Sequence, residues 1–168
     1  MASYKIQPAN LMFALLFMLS AVSADLFAKT VIVELVMQPP RVIPVTSFFN
    51  LVLGYNEGVS FGLFADLFRN RPGILTLGTS LIVLIIIGWA AVAKNRTEGA
   101  ALGLISGGAS GNIVDRAKNG AVTDFLDFYI ADWHWPAFNL ADVAIVGGTI
   151  VLVGASLVSA SPSGIRTG

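Results

Sequence analysis

Six residues in the second half of the chain have types and spacing suited to proton chemistry. They are Asn112, Asp115 and Arg116 in GNIVDR, Asp124 in VTDF, and Asn139 and Asp142 in FNLAD. Two carboxylates held close together cannot both ionise easily, so they share a proton. The ionised one takes a proton from water while the protonated one polarises or protonates a carbonyl. That is amide hydrolysis without a covalent intermediate, and Asp124 and Asp142 are the pair it selects. Asp142 at a helix start favours the charged form. Asp124, among aromatic residues in a partly desolvated loop, favours the neutral one. The chain has no cysteine, which excludes disulfides, thiolate metal sites and a cysteine nucleophile. Its one histidine, His134, cannot build a zinc site without several carboxylates around it. No metal and no cofactor is expected.

Taken singly, each residue has a structural explanation. Asn139 and Asp142 match a capping box. Asp115 and Arg116 suit an ion pair at a membrane boundary. Asp124 with Phe125, Phe128 and Tyr129 suits an interfacial aromatic belt, and His134 between Trp133 and Trp135 an interface anchor. Asp127 and Asp132 read as solvated loop acids. The set is harder to dismiss, because ionisable groups near hydrocarbon are costly unless paired and by default raise a functional hypothesis.

The elements that must position these residues are membrane helices. Of 168 residues, 55% are hydrophobic and only 12% charged, against about a quarter charged in an ordinary globular domain. Net charge is zero, which gives no electrostatic case for a nucleic-acid partner. A span needs about 20 apolar residues. Four stretches qualify, at about 11–29, 72–92, 98–117 and 139–159. The first could instead be a cleaved signal peptide, with Lys5 before it and AVSA ahead of Asp25. Against that, the apolar stretch is long, and Asp25 and Lys29 stand one helical turn apart at its end. The third span carries Gly99, Gly103, Gly107 and Gly111 on one face, which lets a neighbouring helix approach closely.

Between the first two spans, after Pro39, Pro40 and Pro44, the segment at about 42–67 reads as short strands with a tight turn near Asn56–Gly58. The expected fold is therefore a mainly α membrane domain, four transmembrane helices with a small β-sheet cradle at the membrane surface. Four basic residues on the side of the termini (Lys5, Lys94, Arg96, Arg166) face six on the other (Lys29, Arg41, Arg69, Arg71, Arg116, Lys118). The positive-inside rule leaves orientation undecided, since Lys94 and Arg96 share a very short loop.

Five blocks in order carry a family resemblance: Asp25 with Lys29, FNLVLGYNEGVSFGLF from Phe49, GNIVDR from Gly111, VTDFLDFY from Val122 and WPAFNLADVAI from Trp135. Together they make the chain resemble the lipoprotein signal peptidase family, signal peptidase II. The resemblance implies an aspartic protease of the bacterial inner membrane. It would remove the signal peptide from prolipoproteins, cutting before a cysteine that already carries diacylglycerol. It puts catalysis on Asp124 and Asp142. Asn112, Asp115, Arg116, Asn139, Asp25 and Lys29 would support the site or hold substrate. Asn56 and Gly58 would belong to the substrate cradle. It also implies cytoplasmic termini, an outward-facing site and inhibition by globomycin-type cyclic peptides; a monomer suffices. The first block departs from the family's usual DQxTK or DQxSK, reading DLFAK here, and Thr123 stands where valine is frequent.

Two readings of other classes remain: a proton-coupled transporter, which would spread acids through the bilayer depth, and a scaffold that uses the glycine stripe for partner helices.

Overall fold

Proline opens the first helix and proline follows its end. Pro8 stands in the first turn of α1 (Pro8–Val31), where its missing N–H costs nothing. The helix continues through one π turn, Ile32–Val36, and stops ahead of Pro39 and Pro40. The computed structural model describes residues 5–58 and 72–160. Among the described residues, three further helices follow: α2 (Pro72–Ala90), α3 (Arg96–Asn119) and α4 (Leu140–Ala160). Asn95 caps α3 by accepting from Glu98 N–H at 2.9 Å, and Glu98 returns the favour to Lys94 N–H at 2.7 Å. Gly120, at φ +79°, ends α3 in the left-handed conformation that glycine adopts without strain.

Among the described residues, three helical stretches are long and apolar enough to cross a membrane: Pro8–Val36, Gly73–Ala90 and Leu140–Val158. The sequence suggests four, and α3 is the one that falls short on composition. Its position explains why: α3 packs against α1, α2 and α4, so little of it has to face lipid. Gly99, Gly103 and Gly107 face the backbone of α1 at Asn10, Ala14 and Met18 so closely that a Cβ on any of them would collide with a carbonyl oxygen. On the opposite side Gly108 meets Ala141 of α4 in the same way. The glycine stripe is therefore consumed inside the chain rather than presented to a partner helix.

A four-stranded antiparallel sheet, in the order β1–β2–β3–β4, lies at one end of the bundle. Its first two strands, β1 (Ile43–Thr46) and β2 (Phe49–Asn56), fall within the expected segment. The reversal between these two strands is at 47–48, and at the expected turn near Asn56–Gly58 the Gly58 N–H donates to Asn56 Oδ1 at 3.1 Å. The rest of that segment, 59–67, lies outside the described residues, as does the tail at 161–168. The other two strands, β3 (Val122–Ile130) and β4 (Trp133–His134), come from the link between α3 and α4. That link reads as loop in the sequence, and Asp124 is on a strand instead. In register, Asp124 faces Gly54 and Asp127 faces Asn50, with a bulge in β2 between Leu51 and Gly54. Beneath the sheet, Ile32, Met37 and Phe125 form a small core with Leu51, Leu53, Leu126 and Leu140 around it.

Candidate active site

The two selected carboxylates arrive from different elements, Asp124 from β3 and Asp142 from the first turn of α4. Asn139 joins them. Its side-chain N–H donates to Asp124 Oδ1 at 2.7 Å, and its Oδ1 accepts from Asp142 N–H at 3.0 Å. Asp142 Oδ2 in turn accepts from Asn139 N–H at 3.2 Å. This is a reciprocal capping box, as the spacing suggests. The box occupies only one oxygen of Asp142. Oδ1 accepts from Asn112 Nδ2 at 3.0 Å, and both carboxylates line one cleft of about 730 Å³. Capping and a shared site coexist in the same residues.

A second layer lies behind the pair. Lys29, 4% exposed, donates to Asn112 Oδ1 at 2.9 Å, which turns the Asn112 amide N–H toward Asp142. The same ammonium sits 2.9 Å from Asp25 Oδ2 and 3.2 Å from Asp115 Oδ2. The Asp25 contact is an ion pair off the line of a hydrogen bond, because Asp25 Oδ2 has no aligned donor. Asp25 is fully buried, and its Oδ1 accepts from Ala141 N–H at 2.9 Å at the start of α4. Gly111 leaves room for it; a Cβ there would stand 2.6 Å from Asp25 Oδ2. Asp115 accepts from Thr123 N–H at 2.7 Å and from Asn119 Nδ2 at 2.7 Å. It thereby holds the residue immediately before Asp124.

Arg116 does not form the boundary ion pair with Asp115 that adjacency suggests. Asp115 takes Lys29, while Arg116 donates to Gly58 O at 3.3 Å. Successive helix residues point about 100° apart, so one serves the bundle interior and the other the sheet. Arg116 Nε is buried without a hydrogen-bond partner among the described residues. Its charge lies within electrostatic reach of Asp115, Asp124 and Asp142. Asn56 closes the front of the site, donating to Asp124 Oδ2 at 3.3 Å.

Burial, followed by the nearby charge of Asp142, pushes the Asp124 carboxyl up to about 6, against opposing hydrogen bonds from Asn139 and Asn56. Asp127 is not the solvated loop acid its sequence context suggests; it is 6% exposed. Burial works against its charge, but hydrogen bonds from Asn50 and His134 outweigh that and hold it below the usual carboxylate range. Sequence reasoning also missed Thr123 and Asn50 as participants. Only the strand assignment exposes them, since one acts through its backbone and the other through a cross-strand pair.

The rest of the cleft is apolar. Trp135, Pro136, Ala137 and Phe138 form one wall, and Val143, Val146 and Ile150 continue it along α4. The fold and the site thus define a multi-pass membrane protein with a carboxylate pair at the mouth of an apolar groove.

Residues 17–158 match the family described as signal peptidase (SPase) II. The lipoprotein signal peptidase of Francisella tularensis subsp. novicida (strain U112) is 40% identical over 139 residues, covering 81% of this chain and 86% of the relative. That of Cupriavidus necator (strain H16) is 43% identical over 139 residues, covering 82% and 78%. A solved bacterial membrane enzyme, determined by the in meso method at 2.3 Å, superposes with a TM-score of 0.78 at 25% identity, covering 92% of this chain and 93% of that one. The chain belongs to the signal peptidase II family, and it is a bacterial multi-pass membrane protease.

Proposed function

We propose that this protein is an aspartic endopeptidase that removes the signal peptide from diacylglyceryl-modified prolipoproteins, cutting before the lipidated cysteine. The single observation that carries the reading is the junction at Asn139, which hydrogen-bonds Asp124 and caps Asp142 on one cleft. Asp142, at a helix N-terminus, is the ionised partner and takes a proton from the attacking water. Asp124, raised to about 6, holds the shared proton and gives it to the scissile carbonyl as water adds. Collapse of the tetrahedral adduct breaks the C–N bond. The proton taken up by Asp142 then passes to the leaving amine, Asp124 takes back a proton from an adduct hydroxyl as the product carbonyl forms, and the pair returns to its starting state. Asn112 and Asn139 keep the two carboxylates oriented throughout.

The surroundings suit a lipidated substrate. The acyl chains must stay in the bilayer while the neighbouring peptide bond meets water, and a carboxylate pair beside an apolar wall on α4 accommodates both. In this reading the protein sits in the inner membrane with cytoplasmic termini and an outward site, acts as a monomer without a cofactor, and is blocked by globomycin-type peptides. A proton relay is less well supported, because Asp25, Asp115 and Asp142 cluster with Asp124 at one end of the bundle. Incubating the purified protein in detergent with a lipid-modified precursor tests the proposal. Wild type is expected to give the shortened product, and Asp124→Asn and Asp142→Asn none. Near-normal turnover by either variant would remove the dyad from consideration.

A further inference from the structure

Apart from the carboxylate pair, a second group of polar side chains is tied together across the sheet. Asp127 on β3 accepts from Asn50 Nδ2 on β2 at 3.0 Å. Its two oxygens also lie 2.8 and 2.9 Å from His134 Nδ1 on β4. An ionised carboxylate only accepts, so the imidazole proton of this bond sits on Nδ1. The ring lies nearly parallel to Tyr129, with centroids 5.0 Å apart and planes at 15°. The His134 side chain is 51% exposed. It is therefore held by this hydrogen bond and stack rather than by burial, and one carboxylate joins three strands.

The four residues after His134 form a wall of the cleft. Downstream, that wall is pinned by Phe138 and Leu126, which exchange backbone hydrogen bonds at 3.0 and 2.8 Å, and by the Asn139 bond to Asp124. Upstream, it is pinned by Trp135 N–H on Phe128 O at 2.8 Å and by the His134–Asp127 contact. Pro136, between the two pins, has no backbone donor to contribute. Beside that backbone bond and the β3–β4 pairing, the upstream pin includes one side-chain contact, from the half-exposed His134.

We propose that Asp127, Asn50 and His134 form a positioning clasp that sets the placement of the Trp135–Phe138 wall and, through it, the affinity for the peptide substrate. The clasp touches neither Asp124 nor Asp142, and Asn139 stays held from downstream when it opens. Its loss therefore falls on KM and spares kcat. This rests on the reading of the cleft as the substrate site.

The test compares His134→Leu with His134→Asn. Both lose the ring and its stack on Tyr129, but Asn keeps an N–H donor near the Nδ1 position. Cleavage of the lipid-modified precursor is expected to show KM raised about tenfold for His134→Leu, kcat within about twofold of wild type, and His134→Asn restored toward wild type. Amide hydrogen exchange over 133–139, which needs no activity, is expected to speed up in His134→Leu and not in His134→Asn. Unchanged KM and exchange in His134→Leu would overturn the clasp. Equal impairment of the two variants, or a fall in kcat alone, would overturn it as well. If wild type cleaves no precursor, the functional reading fails, and the exchange experiment still decides the clasp.

Discussion

Replacing Asp124 with Asn should stabilise the protein above pH 6 while abolishing its turnover. The carboxyl is 5% exposed, and its pKa is raised from 3.8 to about 6. Two pH units and a little more correspond to about 3 kcal/mol against carrying the charge in the fold. Because the folded pKa lies above the unfolded one, the wild-type protein binds more protons folded than unfolded between those values. The associated stability is fully present below about pH 3.8 and is lost as pH rises through about 6. Asn removes the charge but offers one oxygen where the carboxylate offers two. Either Asn139 Nδ2 or Asn56 Nδ2, now donating to Asp124 at 2.7 and 3.3 Å, must face an amide N–H, which takes back about 1 kcal/mol. The net gain is about 2 kcal/mol at pH 8 and none near pH 4. Thermal unfolding in detergent micelles, read at both pH values for both proteins, compares chains that differ only in Asp124 and in the Asp142 titration coupled to it. The expected signature is a midpoint about 4–8 °C higher for the variant at pH 8, absent near pH 4. An equal shift at both pH values, or a lower midpoint at pH 8, would refute the assignment of a buried, proton-holding Asp124.

Three further outcomes follow from the same geometry. If protonated Asp124 is the acid, kcat/KM of wild type is expected to fall about tenfold per pH unit above about pH 6, as measured in a pH–rate series on the precursor. Gly103→Ala forces a Cβ onto the Ala14 carbonyl and should destabilise by about 1–3 kcal/mol; Gly88→Ala, which meets nothing within 4 Å, is the control, and melting in micelles distinguishes them. Lys29→Met strands the buried carboxylates of Asp25 and Asp115, with an expected cost of about 3–5 kcal/mol, seen as lost folded yield and partly restored by adding Asp25→Asn.

The parts of the structure legible in the sequence are those set by local rules. The apolar runs announce α1, α2 and α4 because a membrane requires an uninterrupted length of them. Asn139 and Asp142 announce a helix start because a capping box needs only three residues of spacing. The glycines four apart announce close helix contact, although not with which helix. Strand β3 is hidden because Val122, Thr123, Asp124 and Phe125 are all buried, so no alternation of polar and apolar residues marks it. Without the strand, Asp127 looks like a solvated acid and His134 like an isolated anchor.

Sequence alone was enough to name the acids, to order them along the chain and to locate most of the spans, because composition, periodicity and capping act over a few residues. Tertiary structure alone decided which groups meet. Asn56 reaches Asp124 across 68 positions, Lys29 reaches Asn112 across 83, and Ala141 reaches Asp25 across 116. The meeting of Lys29 with Asn112 depends on how closely α1 can approach α3. That spacing is set where Gly99, Gly103 and Gly107 lie against the α1 backbone, a packing property of two helices together rather than of either one.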